Sequence, residues 1–180
     1  MRKVIVSMYV SLDGVIENPA WTAPYFNEEI GKFQNELLFS SGALLLGRET
    51  YQGMSEAWPT MKDEDGFADR INNMPKFVVT TTLEEAKWNA SFIKENIVKE
   101  VKQLKQQPGQ DLLIYGSSKL IQTLMQHDLI DEYHLIVNPV IVGSGKRLFK
   151  EGSEQKDLKL VNTKTTDTGV VILSYQSKNN

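Results

Sequence analysis

The segment ALLLGRETY, from Ala43 to Tyr51, decides the fold. Its small and apolar residues predict a short buried strand, and a Gly-Arg-x-Thr turn then leads into a helix over residues 49–58, with Pro59 beyond it as a stop. The first N–H groups of such a helix have no intrahelical partner, and the helix dipole favours negative charge there. Arg48 adds a cationic fork and Thr50 a hydroxyl, so the turn suits a phosphate. The alternative is an ordinary strand-to-helix turn with a surface arginine.

The same arrangement occurs a second time further along the chain. Asp111–Tyr115 is an apolar strand, the turn Gly116, Ser117 and Ser118 follows it, and residues 119–127 have the apolar spacing of a helix. Small hydroxyl residues after a glycine turn again place a helix N-terminus at the end of a strand. Two such turns in one sheet favour an anion or nucleotide site more than either turn does alone.

Strands alternate with helices along most of the chain, and an alternating apolar and polar pattern closes it. This order predicts an α/β fold, a three-layer α/β/α domain with a mostly parallel central sheet and an antiparallel C-terminal hairpin. We expect one domain over residues 1–177 and a frayed tail over 178–180. The other predicted strands cover residues 3–10, 76–80, 92–93, 129–137, 157–166 and 169–177, the other predicted helices cover 25–40 and 95–107, and 61–73 is predicted to be irregular. His134, on the 129–137 strand, is expected to face solvent or a loop.

Two further strand ends carry polar side chains. Asp13 lies just past the first strand, where ligands bind in open α/β sheets, although an aspartate there can also cap its own turn. Thr80 and Thr81 end the 76–80 strand, and their hydroxyls can bind phosphate or cap the following turn. Because the carboxyl ends of parallel strands meet at one edge, we expect these residues to lie near both glycine turns.

Composition excludes several classes of function. The chain has 180 residues, 41% hydrophobic and 24% charged, with a formal net charge of −3, so neither nucleic acid nor an acidic membrane surface is an expected partner. It has no cysteine and two histidines that lack metal-site spacing, so disulfides, thiol catalysis and a resident metal are not expected. Without an apolar run of membrane length or a signal peptide, a cytoplasmic location is expected.

The motifs together resemble those of a known family. Their order is Ser11-x-Asp13-Gly14, Gly47-Arg48-x-Thr50, Thr80-Thr81, Tyr115-Gly116-Ser117, and Val142 to Phe149 with the sequence VGSGKRLF. The chain resembles the dihydrofolate reductase superfamily, and more closely its riboflavin-biosynthesis reductase branch, which includes the C-terminal domain of the bifunctional deaminase-reductase. The resemblance spans nearly the whole chain and implies NADPH-dependent hydride transfer to a small pyrimidine or pterin substrate by a homodimer.

The resemblance also assigns roles to the residues in those motifs. It implies that Gly47, Arg48 and Thr50 bind cofactor phosphates, that Thr80 and Thr81 lie along the adenosine, and that Asp13 faces the substrate. The pyrophosphate would lie at Gly116, Ser117 and Ser118, although the family commonly has glycine where this chain has Ser117. Lys146 and Arg147 are candidates for a second basic site that would bind a phosphorylated substrate; the alternative is a solvated loop face.

Two alternatives remain open at this level. A dihydrofolate or pterin reductase would need an acid in its first helix, for which Glu28 or Glu29 is the candidate, and both could instead complement the helix dipole. A non-catalytic nucleotide-binding module on the same fold would keep the phosphate turns without turnover. Ser117 favours this second alternative, because its Cβ narrows the space for close backbone approach.

Overall fold

The structure is a computed structural model that describes residues 1–178, and it contains one eight-stranded sheet. The strands lie in the order β4-β3-β2-β5-β1-β6-β8-β7. Strands β1 to β6 run parallel to one another, whereas β8 is antiparallel to its neighbours β6 and β7. The strands are β1 Val4–Ser11, β2 Ser41–Gly47, β3 Lys76–Val79, β4 Ala90–Ile93, β5 Asp111–Ile114, β6 Glu132–Asn138, β7 Leu158–Thr165 and β8 Val171–Ser177.

Helices cover both faces of the sheet, so the predicted three-layer α/β/α fold and its antiparallel hairpin are confirmed. On one face α4 and α5 pack on alternate residues of β1, including Val4 and Val6, whereas Ile5 faces the other helices. This alternation is why the central strands are apolar on both faces. The helices are α1 Glu28–Phe39, α2 Arg48–Ala57, α3 Phe67–Asn73, α4 Ile97–Gln106 and α5 Ser118–Gln126, with a 3-10 helix at Pro19–Tyr25.

Three local predictions were wrong or fall partly outside the described residues. Residues 61–73 were predicted to be irregular, but α3 forms there because Ala68 and Ile71 are buried and the Asp63 carboxylate accepts the Ala68 N–H. His134 was expected to face solvent or a loop, but its ring packs edge-on against Phe33 of α1 at 5.5 Å between centroids. Of the expected tail, residues 179 and 180 lie outside the described part of the chain.

Within residues 1–178, no helix combines the length and the apolar character that crossing a membrane requires.

Candidate functional site

The carboxyl edge of the parallel strands brings most of the predicted site residues together. Strands β3, β2, β5 and β1 are neighbours in that order, and each of them ends at this edge. The segments that follow them therefore lie side by side, as parallel topology requires. These segments contain Thr80 and Thr81 after β3, Arg48 and Thr50 after β2, Gly116 to Ser118 after β5, and Asp13 after β1.

The turns after β2 and β5 pack directly against each other. The Gly47 N–H donates to the Gly116 carbonyl at 3.0 Å. A Cβ at Gly47 would lie 2.3 Å from the Ser117 Oγ, and a Cβ at Gly116 would lie 2.6 Å from the Thr50 Oγ1. Gly116 also has a φ of +141°, which L side chains rarely adopt, and its peptide bond to Ser117 is cis. The two turns therefore approach each other too closely for a side chain at either glycine. As a result, the N-termini of α2 and α5 lie side by side.

The two helix starts differ in how their N–H groups are satisfied. Helix α2 begins at Arg48, and its N-cap residue, Gly47, has no side chain that could accept a hydrogen bond. Helix α5 is capped by Ser117, whose hydroxyl accepts the Leu120 N–H at 3.4 Å, and Ser118 is buried in its first turn. The α2 start is thus the more open of the two to an external anion.

Arg48 lies at the rim of the two packed turns, and its side chain makes weak contacts. Its side chain is 44% exposed, its guanidinium donates to the Gln52 Oε1 at 3.4 Å, and Nη2 lies 3.7 Å from the Glu49 carboxylate. Such long, exposed contacts contribute little to stability. The guanidinium can therefore turn toward a phosphate that binds at the α2 start, and its planar fork suits bidentate binding.

The two threonines after β3 have different surroundings. Thr80 is buried, and its hydroxyl oxygen accepts the N–H groups of Thr82 at 3.3 Å and Leu83 at 3.2 Å. It therefore shapes the turn, as the capping alternative predicted. Thr81 is exposed at the same edge of the sheet, so its hydroxyl can reach a ligand.

Asp13 connects the end of β1 to the loop that follows β6. One carboxylate oxygen accepts the Ser11 hydroxyl at 2.5 Å and the Val142 N–H at 3.1 Å, and the other accepts the Gly143 N–H at 2.8 Å. The Ser11 hydroxyl, followed by the Gly143 N–H, lowers the pKa of Asp13 to about 2. Asp13 is therefore ionised at neutral pH and cannot serve as a proton donor there.

Glu29 lies in the first turn of α1, which begins at the same edge because the chain returns from the end of β1. Glu28 is exposed and Glu29 is half-buried. Asn27 caps the helix by accepting the Ile30 N–H at 3.1 Å. Both acids therefore complement the helix dipole in this position.

A polar cluster between α1 and the sheet was not found from the sequence. The Ser7 hydroxyl donates to the Gln34 Oε1 at 3.0 Å, and a second hydrogen bond joins Gln34 to Tyr9. Burial raises the pKa values of Tyr9 and of Tyr115, which directly precedes Gly116. Within the described residues, the Tyr115 hydroxyl has no hydrogen-bond partner. The one available signal was Gln34, a polar residue between Ile30 and Leu38 in the buried stripe of α1.

The fold is dihydrofolate reductase-like. The chain aligns with dihydrofolate reductase from Enterococcus faecalis complexed with NADP(H), at a TM-score of 0.65 and 16% identity over 98% of this chain and 96% of that one. Residues 2–172 match the model of the RibD C-terminal domain. The chain therefore belongs to the RibD C-terminal domain family.

Two other proteins are also similar to this chain. The uncharacterised protein YyaP of Bacillus subtilis is 32% identical over 177 residues, which cover 97% of this chain and 94% of YyaP. The diaminohydroxyphosphoribosylaminopyrimidine deaminase/5-amino-6-(5-phosphoribosylamino)uracil reductase of Thermotoga maritima aligns at a TM-score of 0.70 and 17% identity. That alignment covers 98% of this chain but 56% of the larger protein.

Proposed function

We propose that this protein is an NADPH-dependent reductase that acts on a pyrimidine or pterin ring, similar to 5-amino-6-(5-phosphoribosylamino)uracil reductase. Membership of the RibD C-terminal domain family supports a reductase, and the E. faecalis neighbour supports a nicotinamide cofactor. The substrate class rests on the name of the T. maritima neighbour.

The observation that carries the proposal is the contact between the two glycine turns. A Cβ would fill the space at Gly47 and at Gly116, and the α2 start lacks a side-chain cap. A dinucleotide needs this combination of close backbone approach, free N–H groups and a rim cation. Arg48 would bind the 2′-phosphate, and Gly47 and Thr50 would line the phosphate turn.

The remaining cofactor contacts lie on the neighbouring strands. Gly116 and Ser117 would position the pyrophosphate at the α5 start, and the buried Ser118 would support that turn from within. Thr81 would contact the adenosine side, while Thr80 holds the turn that presents it. These residues bind and orient the cofactor, which supplies the hydride when bound.

The substrate would lie between the start of α1 and the end of β1. The ionised Asp13 would fix the loop at residues 142–143 beside the substrate, and Glu29 is the candidate proton-carrying group on α1. The polar side chains of Tyr9, Gln34 and Tyr115 give the adjacent sheet face the hydrogen-bonding capacity that a nitrogen heterocycle requires.

Fluorescence titration with NADPH, with NADH alongside, tests the proposal. We expect NADPH to bind more tightly than NADH to the wild-type protein. Arg48→Ala should weaken the binding of NADPH by roughly tenfold or more, because a charge-assisted bidentate contact is lost. Absence of binding by either nucleotide would refute the reductase. Binding without oxidation of NADPH by pyrimidine or pterin substrates would favour the non-catalytic module.

We also propose a homodimer, as the family resemblance suggests. Strand β7 lies at the edge of the sheet and exposes Leu160 and Val161, and an exposed edge strand can pair with another chain. Light scattering after size exclusion should give twice the chain mass. A monomer at micromolar concentration would contradict this.

A further inference from the structure

The loop after β6 crosses the carboxyl edge and is fastened above the end of β1. The Ile16 N–H donates to the Lys146 carbonyl at 2.9 Å, and the Leu148 N–H donates to the Gly14 carbonyl at 3.0 Å. Val15 and Arg147 form an antiparallel bridge between these contacts. The backbone at Lys146 is therefore held in a fixed position over the site.

From that position Lys146 reaches the opposite side of the site. Its Nζ lies 3.4 Å from the Glu49 Oε2 in the first turn of α2. Helix α2 follows β2, the loop is fastened over β1, and β5 lies between those two strands. The contact therefore spans the Gly116 turn, where the proposed function places the pyrophosphate.

Glu49 is the shared partner of two cations at this place. Lys146 approaches one carboxylate oxygen, and Arg48 lies 3.7 Å from the other. All three side chains are substantially exposed, at 57% for Lys146, 63% for Glu49 and 44% for Arg48. Exposed pairs of this kind are weak, so a phosphate, with more charge and more acceptor oxygens, can displace the carboxylate.

We propose that Lys146 is a second phosphate-binding cation of the dinucleotide site and that Glu49 is its internal competitor. In the free protein Glu49 holds Lys146 and Arg48 across the site. When a dinucleotide binds, both cations turn to its phosphates, and Glu49 opposes binding through its own negative charge. This inference rests on the proposed function and adds to it a cation on a loop that follows β6.

The test is NADPH and NADH titration of Glu49→Gln and Lys146→Gln at fixed ionic strength. We expect NADPH to bind about two- to fivefold more tightly to Glu49→Gln and about three- to tenfold more weakly to Lys146→Gln, as the loss of one partly screened charge contact implies. An effect of Lys146→Gln on both nucleotides assigns it to the pyrophosphate, and an effect on NADPH alone assigns it to the 2′-phosphate.

Two control variants match the charge changes. Glu56→Gln removes a carboxylate from the far end of α2, and Lys150→Gln removes an exposed cation further along the loop. Neither residue forms an ion pair with the described part of the chain. Both controls should leave the affinities unchanged.

The outcomes separate this inference from the proposed function. If the wild-type protein binds NADPH but Glu49→Gln binds it no more tightly, the proposed role of Glu49 as a competitor is refuted and the reductase proposal stands. If Lys146→Gln binds NADPH as tightly as the wild-type protein does, the proposed phosphate-binding role of Lys146 is refuted and the reductase proposal again stands. If neither wild type nor Glu49→Gln binds either nucleotide, both proposals fail.

Discussion

The two edges of the parallel sheet differ in how far their polar groups are paired within the protein. At the amino edge, Lys105 pairs with Asp131 at 2.7 Å, and Asp131 also accepts the Val4 N–H at 2.8 Å. The Asp111 carboxylate likewise accepts the Lys3 N–H at 2.8 Å. These polar groups satisfy one another and hold the ends of β1, β5 and β6 together.

At the carboxyl edge Asp13, Thr80 and Ser117 are also satisfied within the protein, but Arg48 and the start of α2 remain available to a ligand. With residues 1–178, Arg48 makes only long contacts there, and the glycine at the N-cap of α2 provides no side-chain cap. One edge therefore stabilises the fold and the other would carry the proposed site, although the same strands form both. Substitutions at the amino edge should change stability without changing cofactor affinity, and substitutions in the glycine turns should change affinity most.

The largest effect is expected for Lys105→Met. The substitution removes the ammonium group that pairs with the mostly buried Asp131 carboxylate at 2.7 Å, which should lower the free energy of unfolding by about 3 kcal/mol. Chemical denaturation measures the loss, and the exposed Lys102 on the same helix provides the control, Lys102→Met. A comparable loss of NADPH affinity in the folded Lys105→Met protein would contradict the separation of the two edges.

Lys76, also at the amino edge, should make stability depend on pH. It is fully buried, its Nζ donates to the Asn72 carbonyl at 2.9 Å and lies 3.9 Å from the Trp88 ring centroid, and burial lowers its pKa to about 8. In the unfolded chain the pKa is near 10.5. Between these values the unfolded state binds more protons, so stability should rise with pH by about 2–3 kcal/mol.

Denaturation between pH 7 and 10.5, compared with Lys76→Met, isolates this contribution. The difference between the two proteins should be constant below pH 8 and change in favour of the wild type above it. A difference that does not vary with pH would show that the Lys76 amine titrates normally.

Gly47→Ala should weaken the binding of NADPH at least about tenfold, because the new Cβ would lie 2.3 Å from the Ser117 Oγ and push the two turns apart. Gly53→Ala on the same helix is the matched control, since a Cβ there would contact nothing within 4 Å. Equal affinity of the two variants in the titration would contradict a role for close contact between the turns.

Ser117→Gly should have the smallest effect. Introducing the glycine that the family resemblance suggests at this position removes the Cβ between the turns, and the loss of the cap to Leu120 costs only a few tenths of a kcal/mol. We expect NADPH affinity to increase about two- to threefold. Weaker binding by Ser117→Gly would show that the hydroxyl itself binds the cofactor.

The turn residues at the ends of the apolar segments predicted much of this architecture. Gly47 and Gly116 end apolar strands, and small hydroxyl residues follow them, so both turns and their shared edge could be inferred from composition and spacing. Helix α3 was missed because its turn-favouring Asp and Asn residues obscure a short apolar stripe at Ala68 and Ile71.

Contacts between distant segments could not be inferred in this way. The pairing of Lys146 with Glu49 spans 97 positions, and that of Asp13 with the Gly143 N–H spans 130. No local pattern encodes either contact, since both depend on where the loop after β6 is fastened. The burial of the Tyr115 hydroxyl, which has no hydrogen-bond partner among residues 1–178, likewise depends on tertiary packing.

Hydrogen exchange with and without NADPH tests the central claim most directly, because it reports on both edges in one experiment. We predict that NADPH slows exchange in the turns at residues 47–50 and 116–119 and leaves the amino-edge segments at residues 2–5 and 110–112 unchanged. Protection confined to the amino edge, or absent from both glycine turns at saturating NADPH, would contradict the account.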